Sequence, residues 1–117
     1  MIPLSPATRI FLAAEATDLR KSFEGLSDLV SHHLKQDPLN GHLYVFTNRR
    51  KNRLKLLYAD GSGVWLCTKR LQGKGTFAWP AVTETAALQI LAQELTLLVS
   101  GIDLAPTRQR PWWRRVE

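Results

Sequence analysis

The spacing of hydrophobic positions in the first third of the chain changes from strand-like to helix-like. Residues 9–14 form a short apolar run, which predicts a strand. Thr17 and Asp18 follow as candidate helix caps, and apolar residues then recur at every third or fourth position across residues 19–34. This spacing predicts an amphipathic helix. Gly25 lies inside it and indicates either close packing against a neighbour or a break in the helix.

From Gly41 onward the pattern becomes extended. Four apolar runs separated by short linkers of Asn, Asp, Gly and Lys predict strands at residues 42–47, 53–58, 64–71 and 76–79. The simplest topology for such a series is an antiparallel meander. In the second of these strands, alternation assigns Leu54, Leu56 and Tyr58 to one face and Arg53, Lys55 and Leu57 to the other. One face of the sheet is therefore predicted to be core and the other to be partly cationic.

The C-terminal third predicts a second helix at residues 83–100, with leucines at helical spacing and Gly101 as its stop. The broad apolar face of this helix indicates either that the domain packs against it on two sides or that it forms a subunit contact. Packing within the core of the domain is favoured. The predicted fold is α+β, a small antiparallel β-meander packed with two α-helices in a single domain of residues 1–104. Residues 105–117 are predicted to form a flexible basic tail.

Composition narrows the function. The 117 residues contain 16 Lys and Arg against 10 Asp and Glu, and the formal charge of +6 favours a polyanion or an acidic protein surface as partner. Cys67 is the only cysteine, so an intrachain disulfide is excluded, and no Cys/His cluster has zinc spacing. No apolar run approaches the length of a membrane span. We therefore expect a cytoplasmic protein with no metal, cofactor or membrane partner.

The charges are densest at the predicted turn between residues 47 and 53. Several arginines on a rigid hairpin tip are suited to bidentate contacts with phosphates. The alternative is a solvated turn whose charges serve solubility. The candidate nucleic-acid-binding residues are Arg49, Arg50, Lys51, Arg53, Lys55, Arg20, Lys21, Lys69 and Arg70.

The tail supplies a second candidate surface. Trp112, Trp113, Arg114 and Arg115 form a cluster that can stack on bases, pack back on the domain or dock onto a partner protein. Partner binding or packing on the domain is favoured over base stacking.

The chain has little sign of catalytic chemistry. Two-metal phosphoryl transfer needs several carboxylates converging on the metals, whereas the acidic residues are scattered singly along this chain. The three histidines lack a Cys, Ser or carboxylate partner at a telling spacing, and no phosphate-binding glycine loop is present. The sequence therefore predicts a protein that is not an enzyme, with a small metal-dependent nuclease as the alternative.

Taken together, these segments resemble a known family. The longest matching segments read TDLRKSFEGL at residues 17–26, GHLYVF at 41–46, NRR at 48–50 and RLKLLY at 53–58; shorter ones lie at residues 37–38, 60–61, 69–71, 77, 79–80 and 101–103. In order and spacing they closely resemble the small TnpB accessory protein of IS 66-type bacterial insertion sequences. Leu104 stands where an aromatic residue is expected, and the tail lies outside the similar region.

The resemblance implies a protein encoded beside a separate, larger transposase of the Asp-Asp-Glu type, which it assists in transposition. It supplies no catalytic residues. The expected function is that of a non-catalytic accessory protein that binds DNA, at the element ends, through the basic hairpin. The alternative is a protein-interaction module that binds the element-encoded transposase without touching DNA. The sequence leaves a homo-oligomer open.

Overall fold

The structure is a computed structural model that describes residues 5–82, 84–102 and 112–116. Across these residues a six-stranded sheet carries one helix on each face. The strands are β1 (Ile10–Ala13), β2 (Leu43–Thr47), β3 (Arg53–Ala59), β4 (Val64–Arg70), β5 (Ala87–Ile90) and β6 (Arg114–Arg115). The helices are α1 (Phe23–Asp28), which continues as a wider π-helical turn (Leu29–His33), and α2 (Ala92–Val99).

The sheet order is β4-β3-β2-β1-β5-β6, and every neighbouring pair is antiparallel except β1 and β2. The predicted antiparallel meander is confirmed for β2, β3 and β4. β1 and β2 are parallel because the chain crosses over between them through α1. The α+β class is consistent with this arrangement.

The two faces of the sheet bury separate cores, as the alternation of side chains along each strand requires. On one face Leu26 and Val30 of the first helix pack with Phe11, and this core also holds Leu57. On the other face α2 packs on a core of alternate residues from the same strands and from neighbouring loops: Ile10, Leu12, Leu43, Val45, Leu54, Phe77, Trp79 and Leu88.

The predicted single helix at residues 83–100 is wrong in its first half. Residues 87–90 form β5, which lies beside β1 with Ala87 opposite Ala13 and Ile90 opposite Ile10. Only after Leu91, whose backbone is extended, does the chain enter α2. Pairing with a central strand buries Leu88 completely, and this tertiary contact overrides the helical spacing of the leucines. The predicted stop is confirmed, because Gly101 has a φ of +82° directly after the helix.

Two further predictions were wrong. Residues 76–79 do not join the sheet; instead Phe77 and Trp79 are buried in the core on the α2 side of it. The Trp79 indole N–H donates to the carbonyl of Ala13 at 2.9 Å. Thr17 and Asp18 do not cap the first helix, which begins after Ser22. A loop precedes that helix, and its start is held at the end of β2 by the Thr17 N–H, which donates to the Thr47 carbonyl at 2.7 Å.

Gly25 marks close packing and not a break, because α1 continues through it. A Cβ added at Gly25 would lie 3.1 Å from the Cβ of Lys21, which is tighter than ordinary contact. The missing side chain therefore makes room for the Lys21 stem.

The described end of the tail packs on the domain. β6 pairs with β5, with Arg114 opposite Gln89, and Trp112 is only 5% exposed within the α2-side core. The predicted domain boundary at residue 104 lies outside the described residues.

Candidate nucleic-acid interface

The Asn48 side chain makes three hydrogen bonds across the tip of the β2–β3 hairpin. The Asn48 Oδ1 atom accepts hydrogen bonds from the backbone N–H of Asn52 at 3.1 Å and of Arg53 at 3.2 Å. The Asn48 Nδ2 atom donates to the Asn52 Oδ1 atom at 2.7 Å. Below it, the Thr47 hydroxyl donates to the Arg53 carbonyl at 2.9 Å. Asparagine is suited to this role because its short amide side chain bonds readily to nearby backbone in turns.

Neighbouring segments hold the same tip from the outside. The Phe77 N–H donates to the Lys51 carbonyl at 2.6 Å, and the Leu71 N–H donates to the Asn52 carbonyl at 2.9 Å. Lys51 has a φ of +58°, a left-handed conformation that the surrounding bonds maintain. Arg49 and Arg50 therefore project, exposed, from a turn with a fixed backbone.

Beside this tip lies a groove of about 480 Å³. One wall is the loop that precedes the first helix, and the other is the hairpin with its neighbour β4. The structure brings five of the predicted residues together along the groove: Arg20, Arg49, Arg50, Arg53 and Lys55. Asn48, Thr17 and Thr68 add neutral polar groups to its lining. We call this set of residues the basic groove.

Asp18 contributes a carboxylate to the lining, and Arg20 pairs with it. The Arg20 Nη2 atom lies 2.9 Å from one carboxylate oxygen, and the Arg20 N–H donates to the other at 3.0 Å. These hydrogen bonds from Arg20 lower the pKa of Asp18 to about 2. Asp18 is therefore ionised at neutral pH and partly offsets the charge of Arg20, while the hairpin arginines carry no such partner among the described ion pairs.

Lys55 and Lys21 connect the hairpin to the first helix. The Lys55 Nζ atom donates to the Lys21 carbonyl at 3.0 Å, so it ties β3 to the start of that helix. Lys21 itself lines a smaller adjoining cavity of about 230 Å³ beside Glu15 and His33. It thus lies next to the basic groove and not in its lining.

The structure separates the last two predicted cations. Arg70 lies opposite Arg53 in the β3–β4 register, so it shares the face of the groove. Lys69 lies opposite Leu54 on the other face, where its Nζ atom donates to the Val99 carbonyl at 2.6 Å. There it stabilises the C-terminal end of α2. Consecutive strand residues point to opposite faces, so this separation was readable from the alternation alone.

Asn48 is the residue of the site that the sequence reasoning missed. The signal was available, because Asn48 and Asn52 bracket the basic run and asparagines at such positions favour turns. Lys51 is predicted from the sequence as a nucleic-acid-binding residue, but it does not line the groove, and its backbone forms the left-handed turn of the tip.

The charged groups of the tail lie elsewhere in the fold. The Arg114 Nη1 atom donates to the buried Glu94 carboxylate at 2.9 Å, and Arg115 pairs with Glu84. With Trp112 buried, Trp113 is the half-buried aromatic residue of the pair.

The described residues contain no group of three His, Cys, Asp or Glu side chains placed to hold a metal ion. Burial, with the nearby Arg9 charge, lowers the pKa of His42, whose Nδ1 atom accepts the Arg9 N–H at 3.0 Å. Within the same part of the chain, no helix has both the length and the apolar character that crossing a membrane requires.

Comparison with known proteins places these features in a family. The family model described as IS66 Orf2-like protein matches residues 8–109. Two proteins of Sinorhizobium fredii (strain NBRC 101917 / NGR234) are similar in sequence. Uncharacterized protein y4hO is 41% identical over 103 residues, which are 88% of each chain. Uncharacterized protein y4jC is 39% identical over 111 residues, which are 95% of this chain and 93% of that protein. No solved structure matches.

Proposed function

The chain belongs to the IS66 Orf2-like family of transposition-associated accessory proteins, and we propose that it assists transposition as a non-catalytic DNA-binding protein. The observation that carries this proposal is the convergence of five cations from two separate segments on the basic groove. A loop and a hairpin that are distant in sequence contribute to one positive surface, and turns rarely need consecutive cations for folding alone.

The groove offers contacts of a defined kind. Arginine guanidinium groups bind phosphate oxygens in a bidentate manner, and the fixed tip reduces the entropy lost when Arg49 and Arg50 are ordered on DNA. Such contacts set the position of the protein on a duplex without reading bases. The proposed binding is therefore strongly salt-dependent. We propose that the preferred DNA is the duplex at the ends of the element.

The alternative is that the basic groove meets an acidic surface of the element-encoded transposase. Two apolar features of this protein could anchor such a partner, the apolar face of α2 and the tryptophans of the tail. Both are occupied within the domain: Leu95 and Leu98 of α2 pack on the sheet, and Trp112 is buried in the same core. A partner protein would then be held by charge at the groove. We favour DNA because both candidate anchors are occupied, which leaves the exposed groove cations as the contact surface, and such a surface is suited to a phosphate backbone.

The experiment is a titration of the purified protein into labelled duplexes, one carrying the terminal inverted repeat of the element and one scrambled, at two salt concentrations. The test variant replaces Arg49, Arg50 and Arg53 by glutamine. A matched control neutralises three exposed cations that do not line the groove, Arg9, Lys35 and Lys74, so that both proteins have the same net charge.

We expect the groove variant to lose affinity for both duplexes and the control to lose little. Removing three phosphate contacts should reduce the slope of log affinity against log salt by about 2 to 3. Equal losses in both variants would mean that net charge and not the groove drives binding. Absence of binding to both duplexes would favour the transposase, which is then added to the same assay. Magnesium-dependent cleavage of the duplex would instead support the nuclease alternative.

A further inference from the structure

β4 is an exposed edge strand of unusual length. It is seven residues long and pairs only with β3, and the described residues place no other segment on its free edge. Natural proteins protect such edges with proline, bulges, short strands or charged side chains, because the unpaired N–H and C=O groups invite another strand. The two charged residues of β4, Lys69 and Arg70, lie together at one end and leave the rest of the edge without this protection. β4 contains neither proline nor glycine. The amide and carbonyl groups of every second residue, those that do not face β3, are thus open to pairing.

The side chains of β4 divide it into an apolar half and a cationic half. Val64, Trp65 and Leu66 are exposed large hydrophobic residues, and Trp65 is 52% exposed. Lys69 and Arg70 occupy the other end of the strand. Such a strand is asymmetric in charge and in hydrophobicity, and this asymmetry restricts which partner strand can lie beside it.

A second copy of β4 in antiparallel orientation fits that asymmetry. With Cys67 at the centre of the pairing, Trp65 of one copy lies opposite Lys69 of the other, and Val64 lies opposite Arg70. Each cation then meets an apolar side chain and not another cation, and the aliphatic stem of Lys69, whose Nζ atom donates to the Val99 carbonyl, lies beside Trp65. Parallel pairing in register would instead place each cation beside its own copy, which is destabilising.

The segments that flank the strand are also complementary in charge. The turn before β4 carries Asp60, whose carboxylate accepts the Trp65 indole N–H at 2.9 Å. The segment after β4 carries exposed Lys74. Antiparallel pairing brings the start of one strand to the end of the other, so the acidic turn of each copy faces the basic segment of its partner.

We propose that the protein forms a two-fold symmetric dimer through antiparallel pairing of β4 with β4 of a second copy. The axis runs perpendicular to the sheet at Cys67, and the two sheets join into one. Such an axis leaves equivalent faces on the same side. The two basic grooves therefore lie on one side of the dimer, flanking the seam, where Arg70 of each copy adds to the shared surface.

The paired grooves give the dimer a function that rests on the proposed DNA binding. Two identical cationic sites related by a two-fold axis match DNA whose half-sites are inverted repeats. Dimerisation itself requires no DNA, so the two proposals can fail separately.

The first test is sedimentation of the full-length protein across a concentration series without DNA. We expect a concentration-dependent dimer. Two double variants decide the interface: V64K/W65K places lysines opposite Arg70 and Lys69, whereas V64E/W65E places glutamates there. Both remove the same apolar side chains and the same indole bond to Asp60, and they differ only in the sign of the new charge.

The lysine variant should dissociate at least about tenfold more readily than the glutamate variant, because each dimer contains the altered pairs twice. Circular dichroism spectra of both variants should match that of the original protein, which shows that the difference in dissociation does not come from unfolding. A monomer at all concentrations overturns the proposal. A dimer that both double variants leave unchanged overturns it equally, because the contact would then lie elsewhere.

Oxidative cross-linking provides an independent measurement that does not alter the strand. Opposed residues in antiparallel strands have Cα atoms about 4.5 to 5.5 Å apart, within disulfide range. Mild oxidation should therefore link Cys67 of one copy to Cys67 of the other. The control is C67S/S31C, which moves the thiol to an exposed position on the π-helical turn. Equal cross-linking of both proteins would contradict the proposed seam.

Discussion

Replacing Asn48 with alanine removes the side-chain hydrogen bonds that Asn48 makes across the hairpin tip and leaves every cation of the basic groove in place. Two backbone N–H groups, those of Asn52 and Arg53, lose their acceptor, and the Asn52 side chain loses its donor. The variant therefore separates the rigidity of the tip from its charge.

The structure sets the size of the effect. Three hydrogen bonds at about 0.5 to 1.5 kcal/mol each would total several kcal/mol, but the half-buried site admits water that replaces part of this. We expect Asn48→Ala to lower the free energy of unfolding by about 2 kcal/mol. For a chain of this length, that corresponds to a melting temperature lower by roughly 8 °C.

The assay has a stability arm and a binding arm. Thermal unfolding is compared with that of Gln93→Ala, an exposed amide on α2 whose removal should change stability by less than about 0.5 kcal/mol. In the DNA titration, Asn48→Ala should bind about fivefold more weakly because the tip must be ordered on binding. Its salt slope should be unchanged, since no phosphate contact is lost.

A melting temperature equal to that of the Gln93→Ala control would refute the view that Asn48 holds the tip. A salt slope as reduced as that of the triple arginine variant would refute the separation of rigidity from charge.

Titration and unfolding measurements test three individual contacts. In an NMR titration Asp18 should show a pKa of about 2, and in Arg20→Gln this pKa should move toward the ordinary 3.8. Because the pKa is lowered in the folded protein, the stability that the Asp18–Arg20 pair contributes is present above pH 4 and is lost as the pH falls toward 2. Burial raises the pKa of Tyr44 from 10.0 to about 12, so absorbance should detect its ionisation late and stability should fall as the pH rises between these values. Trp112→Ala should cost about 3 to 5 kcal/mol in urea unfolding, whereas Trp65→Ala, at an exposed site, should cost far less; equal losses would contradict the burial of Trp112.

The first four strands were predictable because each is a local pattern bounded by turn residues. Alternation in β3 correctly separated Leu54 and Leu56 from Arg53 and Lys55, since the side-chain period of a strand is fixed by its geometry. β5 was not predictable in this way. Its four residues, Ala87–Ile90, become a strand through pairing with β1, more than seventy positions away in sequence.

The candidate site likewise contains residues that local sequence predicts and residues that only tertiary contacts bring together. The cations of the hairpin tip were readable from local sequence, but the arrival of Arg20 at the groove depends on a loop held by the bond from Thr17 to Thr47. That contact is non-local, and no pattern in the sequence encodes it. The assignment of Lys69 to the opposite face needed only the alternation rule applied across β4.

DNA binding at the basic groove is tested most directly by an NMR map of backbone amide shifts as duplex DNA is added to the protein. We predict the largest changes at residues 17–20, 48–50, 53, 55, 68 and 70, which line the groove or lie on its face of the sheet. Changes centred on α2 and the Lys69 contact with Val99, or no changes at all, would contradict it.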